Sequence, residues 1–253
     1  MKIIAGSASP KLSERLARAL RCGLVKPVVK RFPDGELYVR IRDSIRNQQV
    51  IVVQSLPQPQ NENLMELLLL LDTTRDLGAR KITAVVPYLA YARQDKRFKP
   101  GEAISLRTVA KLIAAAGADE LITVDIHEEH SLHDFSIPVK HLTAMRALGA
   151  HLSRMRLKDP VVIGGDQGSQ RRARMVAEPM KAQHDYLVKR RVTPTQVITQ
   201  PKRVDVRGRD VVIADDIIST GGTVLEAARI LKHQGARQVV AACTHGVFAG
   251  NAL

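Results

Sequence analysis

Cysteine is scarce: the 253 residues hold two, Cys22 and Cys243, far apart and without metal-ligand spacing. A disulfide framework and a cysteine-held zinc are thereby excluded, and buried, reduced thiols in a cytoplasmic protein are expected. Aromatic residues make up 3% of the chain and tryptophan is absent, which leaves few platforms for stacking bases. No run is apolar and long enough to span a bilayer, and the opening MKIIAGSASPKLSERL lacks the apolar core of a secretory signal. Acidic residues are outnumbered, 25 Asp and Glu against 39 Lys and Arg, for a formal net charge of +14. The excess suits polyanionic partners, but the cations are scattered rather than gathered in one arm. Phosphorylated small molecules account for that charge as well as a nucleic acid would. Neither nucleic acid nor membrane is expected as a partner.

What is present is a soluble composition, 45% hydrophobic and 25% charged, in a chain long enough for one large domain or two smaller ones. Apolar runs of strand length alternate with helical patterns. QVIVVQS (49–55) precedes ENLMELLLLLDTTRDLG with Gly78 as a stop; KITAVVPY (81–88), the helix 104–117 and ELITVDIH (120–127) follow. The second half repeats the style with VVIGGD (161–166), SQRRARMVAE, DYLVKR (185–190), DVVIADD (210–216), GTVLEAARILKHQG and QVVAACTHG (238–246). Three joints echo one another: DLGARKITAVVPY, AAGADELITVDIH and HQGARQVVAACTH each end a helix in Gly-Ala and enter a strand. Such joints imply right-handed βαβ units and parallel sheets covered on both faces. The expected fold is α/β, with two similar domains over 1–146 and 147–253. The stretch 138–160 reads as a strandless join between them.

In open parallel sheets, ligands bind beyond the carboxyl ends of the strands. The most telling such place is VVIADDIISTGGTV (211–224). Asp215 and Asp216 are followed by Ser219, Thr220, Gly221, Gly222 and Thr223, which open a helix. Glycines let a loop turn with its amides inward, and a helix N-terminus adds positive potential, so a monoester phosphate fits there. The carboxylates suit vicinal hydroxyls or a magnesium-bound sugar. Together they describe a pentose 5-phosphate. An ordinary capped helix would explain the Thr and Gly but not the acidic pair.

DDIISTGGT resembles the phosphoribosyl diphosphate loop shared by phosphoribosyltransferases and ribose-phosphate diphosphokinases. The segments RFPDGELYVRI (31–41), PYLAYARQDKRFKPGEAIS (87–105) and TVDIHEEHS (123–131) resemble the ATP-side segments of the diphosphokinase family, in its archaeal-type branch. Phosphoribosyltransferases have no counterpart to these. The resemblance runs in order over nearly the whole chain.

By this resemblance, 1–146 is the ATP-side domain and 147–253 the ribose-5-phosphate domain. Phe32, Asp34, Gly35 and Glu36 belong to the site of the nucleotide base, presented to a neighbouring subunit of a homo-oligomer. Arg93 and Gln94 match the family's ATP-contacting pair, and ARQDKR offers donors suited to a triphosphate. His127, read as closing a strand with Asp125 on the same side, matches a histidine beside the magnesium–ATP phosphates. Asp166 matches a second Mg2+ residue, although this chain has Gly164-Gly165 where the family commonly has proline before that aspartate. Gly168, Ser169 and Arg172 would make a diphosphate loop. A three-histidine site with His130 and His133 is not expected, since magnesium prefers oxygen ligands.

YLVKRRVTPTQV (186–197) reads from its residues as an exposed hairpin. In the family it is a mobile loop closing on the reaction centre, with Lys189 and Arg191 as its catalytic cations and Arg190 facing elsewhere. The family usually continues beyond THGVFAGNAL with a further strand and helix, so the second domain is expected to be short at its end. Two other readings use the same loop: a phosphoribosyltransferase, and a non-catalytic homologue that binds nucleotide beside an active partner.

Overall fold

The computed structural model describes residues 1–191 and 197–252, and the side chains of 189–191, 197 and 198 lie outside the description. The chain divides into two compact units, Met1–Leu142 and Thr143–Leu253.

The first unit runs β1 (Lys2–Ala5), α1 (Pro10–Ala19), β2 (Gly23–Val25), a hairpin of β3 (Val28–Arg31) and β4 (Leu37–Arg40), then β5 (Gln49–Val53) and α2 (Gln60–Asp76). It continues with β6 (Lys81–Val86), α3 (Ser105–Ala115), β7 (Glu120–Val124), a 3₁₀ turn (Glu129–Asp134) and β8 (Val139–Leu142). Its six-stranded sheet is parallel throughout, in the order β2-β1-β5-β6-β7-β8. Alternation along the strands divides the core between two faces. Ile3 and Val53 pack with Ala17 of α1, whereas Ile4 and Val52 join the larger cluster with Leu67, Leu70 and Leu71 of α2 and Leu106 and Ile113 of α3. The strandless join expected over 138–160 is corrected here. Residues 139–142 form the edge strand β8, whose four residues alternate half-buried and exposed, too short a pattern to read as a strand.

The second unit runs α4 (Met145–Leu152), β9 (Val161–Gly164), α5 (Gln170–Met180), β10 (Gln183–Arg191), β11 (Val197–Pro201), β12 (Asp210–Ile218), α6 (Gly222–His233) and β13 (Gln238–Gly246). Its sheet order is β11-β10-β9-β12-β13, parallel except for the antiparallel β10–β11 pair. Val211 and Ile213 face Ala227 and Leu231 of α6, while Val212 and Ala214 face Met145 of α4 and Ala173, Val176 and Ala177 of α5. Both faces are thus covered. Cys22 and Cys243 are free and half-buried, less enclosed than expected.

Where α4 crosses α5, Gly149 lets the backbones touch: a Cβ there would stand 2.2 Å from the carbonyl oxygen of Val176. A backbone atom cannot swing aside, so a methyl must separate the helices. Gly149→Ala is expected to lower unfolding stability by about 1–3 kcal/mol, read as a lower denaturant midpoint at unchanged slope.

Candidate functional site

The second sheet changes direction around β9, with β10 on one side and β12 on the other. Open α/β sheets bind ligands at such a switch point. Pairing of β9 to β12 ends at Gly164 opposite Ala214, but β12 runs on against β13 as far as Ile218. Asp215 and Asp216 therefore lie beyond the end of β9 while still anchored by β13. They are not at the end of their own strand, as the sequence suggested, but three and two residues before its end at Ile218.

The two carboxyls differ. Asp216 is 3% exposed, and its Oδ1 lies 3.5 Å from a guanidinium nitrogen of Arg172 on α5. Asp215 is half-buried, and its Oδ1 accepts the Asp216 amide at 2.9 Å. Burial, then the hydrogen bond and negative charge of Asp216, push the Asp215 carboxyl up to about 7. The pair holds a proton that ordinary carboxyls lose near pH 4. Burial and the same two aspartates also raise the Cys243 thiol, which sits opposite Asp215 on β13.

The loop after β12 fits an anion. Gly221, the residue capping α6, has φ of +76°, a left-handed conformation that a side chain resists. It offers no side-chain cap, and the first turn of α6 carries no acidic residue. The first amides of α6 thus have no side-chain cap, and a Cβ on Gly221 would stand 3.7 Å from Ala252. Ser219 is half-buried, whereas Thr220, Gly222 and Thr223 are exposed. The chain then returns to this loop: Val247 and Phe248 amides reach the Ile218 carbonyl, and Ala249 donates to the Ser219 carbonyl at 3.0 Å. Nothing in the sequence signals that return.

Asp166 follows β9 and is exposed. Its Oδ1 accepts the Ser169 amide at 2.9 Å, and the Ser169 hydroxyl donates to its carbonyl at 2.7 Å. Ser169 is 2% exposed and packs where a Cβ on Gly164 would stand 2.3 Å from its Oγ. Gly164 thus has a packing reason. Ser169 is committed to shaping this turn, whereas Gly168 is exposed and Arg172 keeps a buried Nε without a hydrogen-bond partner among the described residues. The backbones of Lys189 and Arg191 pair with Thr199 and Val197, which makes the segment the hairpin its residues suggest. Their side chains, and residues 192–196 between the strands, lie outside the described residues.

In the first unit, the corresponding switch point between β1 and β5 is closed from within. Ser7 gives its amide, at 2.7 Å, and its hydroxyl to the carboxylate of buried Glu66 on α2, and the Ala8 amide goes to the Gln54 side chain at 3.0 Å. Donors that could cradle an anion are already taken. The exposed groups lie elsewhere. Phe32, Asp34 and Glu36 are exposed at the β3–β4 turn, where Gly35 has φ of +100° and Phe32 meets Tyr38 edge-on with ring centroids 5.8 Å apart. Arg31 of this hairpin pairs with Glu62, and the Tyr91 hydroxyl bonds to Asn61, so the first turn of α2 anchors both the hairpin and the 91–97 turn. In that turn Arg93 is exposed and Gln94 half-buried, its side-chain amide donating to the Lys96 carbonyl at 3.2 Å.

His127 is half-buried. It does not close a strand with Asp125 on its own side: β7 stops at Val124, and Asp125 turns to a φ of +41°, which ends the alternation. Among the described residues no three His, Cys, Asp or Glu form a group able to hold a metal ion. No helix among the described residues is long and apolar enough to cross a membrane.

Residues 1–117 match the N-terminal domain of ribose phosphate pyrophosphokinase, and residues 139–252 match the phosphoribosyl transferase domain. The chain is 45% identical over 253 residues to a ribose-phosphate pyrophosphokinase of Methanopyrus kandleri, covering all of this chain and 86% of that one. It is 42% identical over 254 residues to the Aquifex aeolicus protein of the same name, covering 100% of this chain and 82% of the other. A crystal structure of phosphoribosylpyrophosphate synthetase from Mycobacterium smegmatis superposes with a TM-score of 0.87 at 34% identity, over 99% of this chain and 83% of that one.

The acidic pair has a consequence for stability. Folding raises the Asp215 carboxyl from 3.8 to about 7, so between those values the folded chain binds more protons than the unfolded one. Stability is then highest below about pH 4 on this account and falls as pH rises towards 7. Asp215→Asn removes that dependence and should raise stability at pH 7.5 by about 1–3 kcal/mol, discounted for solvent at a half-buried site. Denaturant titrations of both proteins at pH 5 and 7.5 measure it; an equal pH dependence in the variant would contradict it.

Proposed function

The chain belongs to the ribose-phosphate pyrophosphokinase family, and we propose that it transfers the β,γ-diphosphoryl group of ATP to the C1 hydroxyl of ribose 5-phosphate. The products are 5-phosphoribosyl 1-diphosphate and AMP. The observation that carries this reading is the acidic pair on the β12 overhang beside the uncapped, glycine-opened start of α6. That arrangement answers both ends of a pentose 5-phosphate, hydroxyls at one side and phosphate at the other.

In this reading the Thr220–Thr223 amides and hydroxyls, with Ser219 behind them, hold the 5-phosphate. Asp215 and Asp216 accept hydrogen bonds from the ribose hydroxyls and so fix the ring. The C1 oxygen then bonds to the β-phosphorus as the hydroxyl proton passes to solvent, the bond from that phosphorus to the α–β bridging oxygen breaks, and AMP leaves with that bridging oxygen. No covalent enzyme intermediate is required: alignment and charge neutralisation supply the catalysis.

In the first unit, Arg93 and Gln94 take the triphosphate, and Phe32, Asp34, Gly35 and Glu36 take the base. The exposure of that hairpin suits presentation to a second copy of the chain in a homo-oligomer. His127 and Asp166 are the residues assigned to Mg2+. Bound Mg2+ neutralises phosphate charge and draws electron density from the β-phosphorus. Lys189 and Arg191 stabilise charge on the leaving oxygen and the transferred group.

Coupled measurement of AMP release from ATP plus ribose 5-phosphate tests the reaction; a phosphoribosyltransferase or a non-catalytic homologue would release none. Lys189→Ala should depress turnover at saturating substrates by roughly 10²–10³-fold, the size of losing one strong electrostatic donor, with little change in either KM. Arg190→Ala should be mild. Asp215→Asn should raise the KM for ribose 5-phosphate far more than that for ATP, through a charged hydrogen bond worth roughly 1.5–3 kcal/mol.

A further inference from the structure

Asp95 follows the Arg93–Gln94 pair directly, and its side chain is 3% exposed. Its Oδ2 is buried with no hydrogen-bond donor in line with it among the described residues. The Nε2 of His130, in the 3₁₀ turn, stands 3.1 Å from that oxygen, and the Nδ1 of the same ring is 3.6 Å from Oε2 of Glu128. The ring itself is 62% exposed, lying over the carboxylate like a cover rather than inside the core. A buried carboxylate oxygen without a donor is costly, and the imidazole N–H is within reach of it.

The turn that carries Asp95 is held at its start by the Tyr91 hydroxyl on Asn61 and by its own backbone, and inside by the Gln94 side chain on the Lys96 carbonyl. The Gln94 amide donates to the Tyr91 carbonyl at 3.1 Å, and the Gln94 carbonyl accepts the Leu106 amide at 3.3 Å. Farther along, the Phe98 and Lys99 amides both donate to the Glu102 carboxylate, at 2.9 and 3.0 Å, which holds that carboxyl below its ordinary range. Within this turn Ala92 and Asp95 are both buried, and of the two only Asp95 carries a polar side chain. If its carboxylate swings out to water, Arg93 and Gln94 lose their direction.

We propose that His130 is a positioning residue for the nucleotide: its ring holds Asp95 in place and so aims the Arg93–Gln94 turn. This rests on the reading of that pair as triphosphate ligands. Neither His130 nor Asp95 needs to touch ATP. The role concerns binding of one substrate and not the chemical step. His130→Ala should therefore raise the KM for ATP roughly tenfold, the consequence of removing the one polar group beside a buried carboxylate oxygen. The KM for ribose 5-phosphate and turnover at saturating ATP should stay close to those of the unaltered protein. His130→Gln, whose amide N–H can reach the same oxygen, should restore most of the ATP affinity.

Steady-state kinetics of His130→Ala, His130→Gln and Arg93→Ala, alongside thermal melts, decide the matter. An unchanged ATP constant in His130→Ala, with a raised one in Arg93→Ala, would overturn the role of His130 and leave the nucleotide site standing. An unchanged constant in both would overturn the nucleotide reading of the turn, and the inference with it. A general loss, with turnover and both constants impaired, a lower melting temperature and no rescue by His130→Gln, would make His130 merely structural and also overturn the proposal.

Discussion

The second unit's site depends on two neighbouring parallel strands of unequal length. β9 ends opposite Ala214, and β12 continues to Ile218 with β13 as its support. An unsupported overhang could not hold two adjacent carboxylates against their mutual repulsion. Here the hydrogen-bonded ladder to β13 fixes the backbone, burial encloses Asp216, and Arg172 reaches it from α5. The cost appears in Asp215, which is pushed up to about 7. A site that keeps a proton while empty can give it up when hydroxyls and phosphates arrive with their own donors and counter-ions. Strain of this kind belongs to a binding site more often than to a structural pair.

Comparison of the two sheets sharpens the point. Both have a switch point where chain direction reverses, and both place small residues there. In the first unit Glu66 fills the space and consumes the Ser7 donors. In the second, Gly221 supplies no side-chain cap to α6. Chemistry belongs to the particular side chains at the switch point, not to the fold.

The main elements were legible because apolar runs of period two and helical stretches ending in Gly-Ala alternate so regularly. The loop after β12 drew the proposal of an anion site for a local reason, the residue types of nine consecutive positions. Other features depend on partners distant in sequence. β8 is four residues at a sheet edge and carries no strong pattern. The positive φ of Asp125, which breaks the alternation expected to reach His127, has no marker in a residue that is not glycine. The link from Arg172 to Asp216 and the return of 247–249 over Ser219 join segments that only the folded chain brings together. Of the Gly164-Gly165 pair that departs from the family pattern, Gly164 leaves room for the Ser169 hydroxyl, whereas a Cβ on Gly165, directly before Asp166, would meet nothing within 4 Å.

The central claim is that the acidic pair receives the sugar, and that the sugar's arrival expels the shared proton. Calorimetric titration with ribose 5-phosphate at pH 6.5, repeated in buffers of different ionisation enthalpy, counts that proton directly. The account predicts net release of about half to three-quarters of a proton beyond that due to the ligand's own phosphate, and loss of this excess in Asp215→Asn. Identical proton counts for the two proteins, with the sugar phosphate bound equally well, would contradict it.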